Sequence, residues 1–412
     1  MPKSYTHTMA NRRVGLWLIG ALGNVAASVA LGVSALRRGL TEQIGLVTAL
    51  DVFANCGLED PSNFTIGGHD IRNGDLAQAV ASVGGARPAF RQDLIQSCRP
   101  DLDQWSANIR PGLLLNGDAT TSRMVDRQDI LSNEAVSTAV ARVQSDLRAF
   151  QERERLDAVV VVNVASTEAP SKPHVAHSSM TALQSAIREN DAAALPASSW
   201  YAFAAIDAGF PYVNFTPSVG ADLPVLVALA RERRVPVAGS DGKTGETLVK
   251  TALAPMFRQR NLKVLSWVGH NILGNRDGQV LSEPTNRSAK VRSKDQVVAE
   301  ILGYAPQTVT SIDCVDSIDD WKTAWDHVHF QGFLGVQMSL QFTWQGSDSA
   351  LAAPLILDLA RLTLAAQRSG RFGIVDELAV FFKNPMGSSE HDLSVQFARL
   401  ESWAKTLEHA SR

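Results

Sequence analysis

Cysteine is scarce. Cys56, Cys98 and Cys314 are the only three in 412 residues, and they stand far apart. That excludes a disulfide scaffold and leaves no cysteine pair at metal-ligand spacing, so reduced thiols in a cytoplasmic setting are expected. Charge of one sign is also missing. Lys and Arg number 39 against 42 Asp and Glu, a formal net charge of −3. No global field therefore draws the chain to nucleic acid or to a membrane, and any basic site must be local. Internal repeats and low-complexity linkers are absent. So are Walker-type, Gly-x-Ser-x-Gly and His-Glu-x-x-His sequences, which weakens nucleotide-kinase and hydrolase readings. His270, His327 and His329 have no third partner at useful spacing, so sheet histidines and no metal site are expected.

What is present begins with an uncharged run, 14–36, flanked by Arg12-Arg13 and Arg37-Arg38. Its length suits a membrane span. However, Gly20-Ala-Leu-Gly23-Asn24 cuts it into a short strand, 14–19, and a small-residue helix, 25–38, that Gly39 ends. A further strand is expected at 45–50, ending at Asp51, and another at 64–68 ahead of His69-Asp70. Strand, glycine turn, helix, strand is the start of a dinucleotide-binding unit. A long helix is expected over 132–155 and a doubly buried strand over 158–164. Helices over 200–208 and 223–233 alternate with strands over 211–215 and 235–238. Alternation sustained in this way predicts an α/β fold with a doubly wound parallel sheet. Beyond Lys250 the pattern changes to a smaller sheet region, with strands at 263–268 and within 321–342 and a short helix at 297–302. A helix at 351–367 follows, with Asp348 and Ser349 as capping candidates. Then come a strand at 380–382 and a closing helix at 393–408. At this length two domains are the expectation.

The polar residues gather at predicted strand ends. Gly20, Gly23 and Asn24 sit where amides and a helix dipole hold a pyrophosphate, and Asp51 or Asp70 would meet a ribose. Asn163, Ser166 and Thr167 follow one strand. Asn214, Thr216 and Ser218 follow another, and Asp241 and Lys243 a third. The stretch from Ser266 to Gly278 places Asn271, Gly274, Asn275 and Asp277 in one loop, rich in backbone donors, with Lys290 and Lys294 just beyond it. Lysines beside such a loop point to an anionic, phosphorylated substrate. Lys322 and Lys383 each emerge from an apolar setting, where an ammonium could stabilise a developing oxyanion.

Taken in order, these pieces resemble the myo-inositol-1-phosphate synthase family over most of the chain, especially its shorter archaeal and bacterial members. Trp17-Leu-Ile-Gly-Ala-Leu-Gly23 is similar to the family's cofactor turn. Ile66-Gly-Gly-His-Asp-Ile71 is similar to its Gly-Trp-Asp-Ile segment, which favours Asp70 over Asp51. Gly239-Ser-Asp-Gly-Lys-Thr-Gly245 and His270-Asn-Ile-Leu-Gly-Asn-Arg-Asp-Gly278 match two further loops, the second with its first two residues reversed. Arg287-Ser-Ala-Lys-Val-Arg-Ser-Lys294 resembles a lysine motif with one residue inserted.

The resemblance implies a Rossmann-like NAD-binding domain over 12–250, a smaller α+β catalytic and oligomerisation domain over 251–345, and a segment, 346–412, returning to the first. It implies an NAD-dependent isomerase that closes glucose 6-phosphate into an inositol phosphate, working as a homotetramer. Lys290, Lys383, Lys322 and Lys243 are the expected catalytic residues. The expected cofactor contacts are Gly20, Leu22, Gly23, Asn24, Asp70, Ala165, Ser166, Thr167, Asp241 and Asp348. Asn214, Asn271, Gly274, Asn275, Asp277 and Lys294 are expected on the substrate, with Asp320 positioning lysines or cofactor. Two enzymatic alternatives are a sibling cyclase acting on another hexose phosphate and a plain sugar-phosphate dehydrogenase that releases NADH. A third is a catalytically silent cofactor-binding protein.

Overall fold

The computed structural model describes residues 12–117, 119–130, 133–274 and 297–410. Asn275, Asp277, Lys290 and Lys294 lie outside them.

The charge-free run folds as a strand and a helix. β1 (Val14–Ile19) is buried along its whole length, and α1 (Asn24–Arg37) packs small residues such as Ala26, Ala27 and Ala30 inward. β2 (Phe64–Asp70) lies parallel to β1, with Val14 opposite Phe64 and Ile19 opposite His69. Next come α2 (Leu76–Ser82), α3 (Gln92–Ser106) and β3 (Ile109–Pro111). α4 (Val136–Arg153) leads to β4 (Ala158–Asn163), whose Val159–Val162 core is buried on both faces, as a parallel strand between helical layers requires. α5 (Ala197–Asp207), β5 (Tyr212–Asn214), α6 (Pro224–Glu232) and β6 (Pro236–Ala238) continue the alternation. α7 (Gly245–Gln259) then carries the chain out of this sheet.

The second sheet is built from β7 (Lys263–Leu273), β8 (Gln307–Cys314), β9 (Trp321–Gln331) and β10 (Gln337–Ser347). Its order is β10-β9-β7-β8, with β7 and β8 parallel and the other pairings antiparallel. α7 and the helical stretch 297–302 cover one face through Ala254, Phe257, Val297 and Ile301, packed on Trp267 and Val328. α8 (Asp348–Arg368) returns to the first sheet. There β11 (Gly373–Ile374) adds the seventh strand, and α9 (Leu393–Ala410) closes the chain. α8 is long and apolar enough to cross a membrane, but most of it is buried against this protein.

The seven-stranded order is β11-β6-β5-β4-β1-β2-β3. Helices α1, α2, α3, α8 and α9 cover one face, and α4, α5 and α6 the other. Each fully buried Val, Leu or Ile on these faces contributes roughly 1.5–3 kcal/mol. Strand order reverses between β1 and β4. In an open α/β sheet that switch point leaves a crevice beyond the strands' carboxyl ends.

Four expectations are corrected. Residues 45–50 form no strand. The segment makes two 3-10 turns, Val47–Ala49 and Asp51–Phe53, with Ile44 and Asp51 exposed. The carboxylate of Asp358 on α8 accepts from Val47 N (2.7 Å) and Thr48 N (3.0 Å), so these donors are spent on a helix and are not offered to a sheet. Asp51 thus sits in a 3-10 turn and not at a strand end. Residues 376–381 coil as a 3-10 helix, and only Phe382 makes a bridge, to Gly242. The cap of α8 is Ser347, whose hydroxyl accepts from Ala350 N (3.3 Å), so Asp348 and Ser349 are left for other partners. Finally, β7 runs on to Leu273, because it has partners on both sides. Asn271 thus lies inside a strand opposite Ala324, not in a loop.

Candidate active site

The ends of β1, β2, β4 and β5 open on a cavity of about 590 Å³, which also meets the loop carrying Asp241 and the start of α8. Gly20 ends β1 with a left-handed backbone (φ +85°), and a Cβ there would lie 2.9 Å from the Cα of Ala165. Only glycine lets these two loops approach so closely. The start of α1 is capped by no side chain, and Gly23, Asn24 and Val25 line the cavity. Uncapped amides at a helix N-terminus are an anion site. Asp70, at the end of β2, is buried and accepts from Leu22 N at 2.7 Å. The turn and the acid are thus locked together. A pyrophosphate on the turn and a ribose near Asp70 fit this arrangement.

The facing wall is a polar network. Asn163 donates to Asn214 Oδ1 (3.2 Å) and Thr216 Oγ1 (3.3 Å), and Ala165 N donates to Asn163 Oδ1 (3.2 Å). Ala165, Ser166, Thr167, Thr216 and Ser218 line the cavity. Asn214 is fully buried beneath them, with its amide bonded to the Ser218 carbonyl and the Thr216 hydroxyl. It shapes the loop and does not face the cavity. Tyr201, also on the wall, keeps its phenol protonated, because burial pushes it well up.

On the third side a two-sided bridge sets the lysines. Lys243 N donates to the Phe381 carbonyl (2.8 Å) and Lys383 N to the Asp241 carbonyl (2.7 Å). This brings Lys383 Nζ within 2.7 Å of Asp241 Oδ1, and both side chains line the cavity. Lys243 turns behind them. It is 2% exposed, donates to Gln396 Oε1 at 2.5 Å and does not line the cavity. Burial, and next the charge of Lys383, pushes its ammonium down to about 7. Nearby, His391 Nε2 pairs with Glu300 Oε2 at 2.7 Å.

The second sheet contributes the rest. Lys322 Nζ lies 3.4 Å from Asp348 Oδ2, while Asp348 Oδ1 accepts from Thr244 Oγ1 at 3.2 Å. Asp320 accepts from Ser349 Oγ (2.7 Å) and Ser347 Oγ (2.5 Å) and reaches Asn24 Nδ2 (3.5 Å). It therefore ties the second sheet to the start of α1. Asn271 is fully buried, and neither of its amide atoms has a partner among the described residues. It shares its sheet face with Gly269 and Trp267, beside a buried group in which Lys250 Nζ meets Glu246 (2.6 Å) and Asp326 (3.5 Å). Gly274 donates to the Asp319 carbonyl (2.9 Å) and packs against backbone, where no Cβ would fit. Among the described residues, no three His, Cys, Asp or Glu side chains gather as a metal set.

Sequence reading missed Thr244, Gln396, Glu300, His391 and the Lys250 group. Only the i, i+4 spacing of Glu246 and Lys250 signalled any of them. The others become neighbours through folding.

A seven-stranded parallel sheet with a glycine turn and a buried acid, joined to a second mixed sheet of four strands, defines a Rossmann-like α/β protein with a second sheet domain. The profile of the NAD-binding family described as myo-inositol-1-phosphate synthase matches residues 14–405. Inositol-3-phosphate synthase 1 of Bacteroides thetaiotaomicron is 30% identical over 97% of this chain and 96% of its own length. The inositol-3-phosphate synthase of Spirodela polyrhiza is 30% identical over 86% of this chain and 75% of its own. Among solved structures, inositol-3-phosphate synthase from Caenorhabditis elegans has a TM-score of 0.86 at 24% identity, covering 96% of this chain and 86% of that one. A myo-inositol-1-phosphate synthase-related protein from Thermotoga maritima has a TM-score of 0.75 at 24% identity, covering 96% and 99%. The chain belongs to the myo-inositol-1-phosphate synthase family.

Proposed function

We propose that this protein closes D-glucose 6-phosphate into 1L-myo-inositol 1-phosphate, with NAD bound throughout. NAD, when bound, would supply the acceptor for the hydride on carbon C5 and the donor that returns it to the same carbon after closure, while the C5 hydroxyl proton passes to a base and back, so no net redox would occur. Gly20, Gly23, Asn24 and Asp70 hold the dinucleotide, and Ala165, Ser166 and Thr167 flank it. Oxidation at C5 acidifies C6. Loss of a C6 proton puts charge on the C5 oxygen, and attack of C6 on the C1 aldehyde puts charge on the C1 oxygen. An ammonium held beside each oxygen lowers both costs.

The observation that carries this reading is that Lys383 and Asp241, paired with each other, and Asp348, paired from behind with Lys322, all meet at the cavity that the glycine turn opens. Each carboxylate fixes where its ammonium sits, and both acids line the cavity. Lys383 is assigned to the reacting oxygens together with Lys290, and Lys322 to the phosphate or the C5 oxygen. Lys243 acts from behind Lys383. Asn271, fully buried and not on the cavity wall, is given no substrate contact.

Incubating the purified protein with glucose 6-phosphate and NAD tests the proposal. Inositol phosphate without net NADH is expected. Steady NADH accumulation would indicate a dehydrogenase, and a five-membered product a sibling cyclase. Either result overturns the assignment.

A further inference from the structure

A single carboxylate at the end of β2 ordinarily sets dinucleotide preference. Left bare, it binds the ribose 2′-hydroxyl of NAD and repels the 2′-phosphate of NADP, whereas an arginine at that place accommodates the phosphate. This chain has both, Asp70 and Arg72, on the cavity wall.

Asp70 is not bare. Its Oδ1 accepts from Arg72 N at 2.9 Å and Arg72 Nε at 3.1 Å. Its Oδ2 accepts from Leu22 N at 2.7 Å and Arg72 Nη2 at 3.3 Å. Both oxygens thus accept two hydrogen bonds, which uses the acceptor capacity of a carboxylate. The guanidinium lies as a fork on Asp70 and cancels its charge. It donates only through Nε and one Nη2 hydrogen there, so among the described residues the Nη1 side keeps its donors. That planar edge suits a phosphate. Two further charged groups lie close by. Arg127 is paired with Asp129 at 2.7 Å, and Asp126 takes the Asn73 amide.

We propose that Arg72 makes this site permissive for a 2′-phosphate, so that the protein binds NADP(H) as well as NAD(H). The inference rests on the dinucleotide assignment above and deepens it. An incoming 2′-phosphate meets a neutralised acid and an open guanidinium edge. An incoming 2′-hydroxyl meets the same edge, or displaces one arm of the fork.

The test is direct titration of the full chain with NADH and with NADPH, read by nicotinamide fluorescence, for the wild type and Arg72→Ala. The wild type should bind the two within about tenfold of each other. The variant should lose NADPH affinity by at least roughly tenfold more than NADH affinity, since its bared Asp70 restores repulsion. Retained NADH binding by the variant shows that it is folded. A wild type preferring NADH by more than about tenfold, or a variant weakened equally for both, overturns the proposal. Failure of the wild type to bind either nucleotide overturns the dinucleotide assignment and this inference with it.

Discussion

On the proposed function, the chemistry concentrates at Lys383. Its ammonium is 2.7 Å from Asp241 in a nearly closed setting, and the pair lines the cavity. Lys383→Ala should lower kcat by at least about 10²–10³-fold, the usual effect of removing one preorganised oxyanion donor. Dinucleotide affinity should be nearly unchanged. Steady-state kinetics beside a fluorescence titration check both, and full activity would remove Lys383 from the mechanism. Lys243 behaves differently. Held down to about 7, it releases its proton in the fold well before it would in the unfolded chain. Between about pH 7 and the ordinary lysine range the unfolded chain binds more protons, so this residue makes stability rise with pH. Below pH 7 its charge is a full burden on the fold. Lys243→Met should flatten that rise, and melting temperatures at pH 6 and pH 9 measure it. A wild type no more stabilised than the variant across that interval would refute the assignment.

At the scale of elements, buried charges decide which segments pair. Asp358 on α8 holds residues 47 and 48, and burial pushes its carboxyl up to about 6 despite the hydrogen bonds it accepts. Its contribution to stability is therefore full below its unfolded value and is lost as pH rises through about 6. Asp358→Asn should remove that dependence. It also leaves one donor of the segment unaccepted, at about 1–3 kcal/mol. Hydrogen exchange should then show faster opening of the 44–58 segment, and unchanged exchange would contradict the role given to Asp358. In the second sheet, Lys250→Met takes the Lys250 charge away from the buried Glu246 and Asp326. A loss of about 3–5 kcal/mol is expected in urea unfolding. Burial and buried charge together explain where elements were legible. Strands such as β4, apolar on both faces, were legible, because burial alone dictates them. The 45–50 segment was misread because a carboxylate more than three hundred residues away takes its amides.

Across the whole molecule, Asp320 joins the two sheets at the site. It anchors the Ser347 and Ser349 hydroxyls and reaches Asn24 at the start of α1. Asp320→Ala should cost roughly 1–3 kcal/mol for each donor stranded in the interior. It should also weaken dinucleotide binding, because the second sheet would no longer brace the cradle. Thermal unfolding with and without NADH separates these effects, and unchanged NADH affinity would limit Asp320 to a structural part. The amino-acid sequence alone determined the alternating α/β architecture, the glycine turn and the family, because local pattern and order along the chain carry them. Which lysine meets which carboxylate was decided only by the tertiary structure. Asp241 and Lys383, or Lys322 and Asp348, come from separate segments that only the closed sheets bring within hydrogen-bond reach. The withdrawal of Lys243 and Asn214 from the cavity, and the fork of Arg72 on Asp70, likewise depend on side-chain direction and burial, which no spacing in the sequence records.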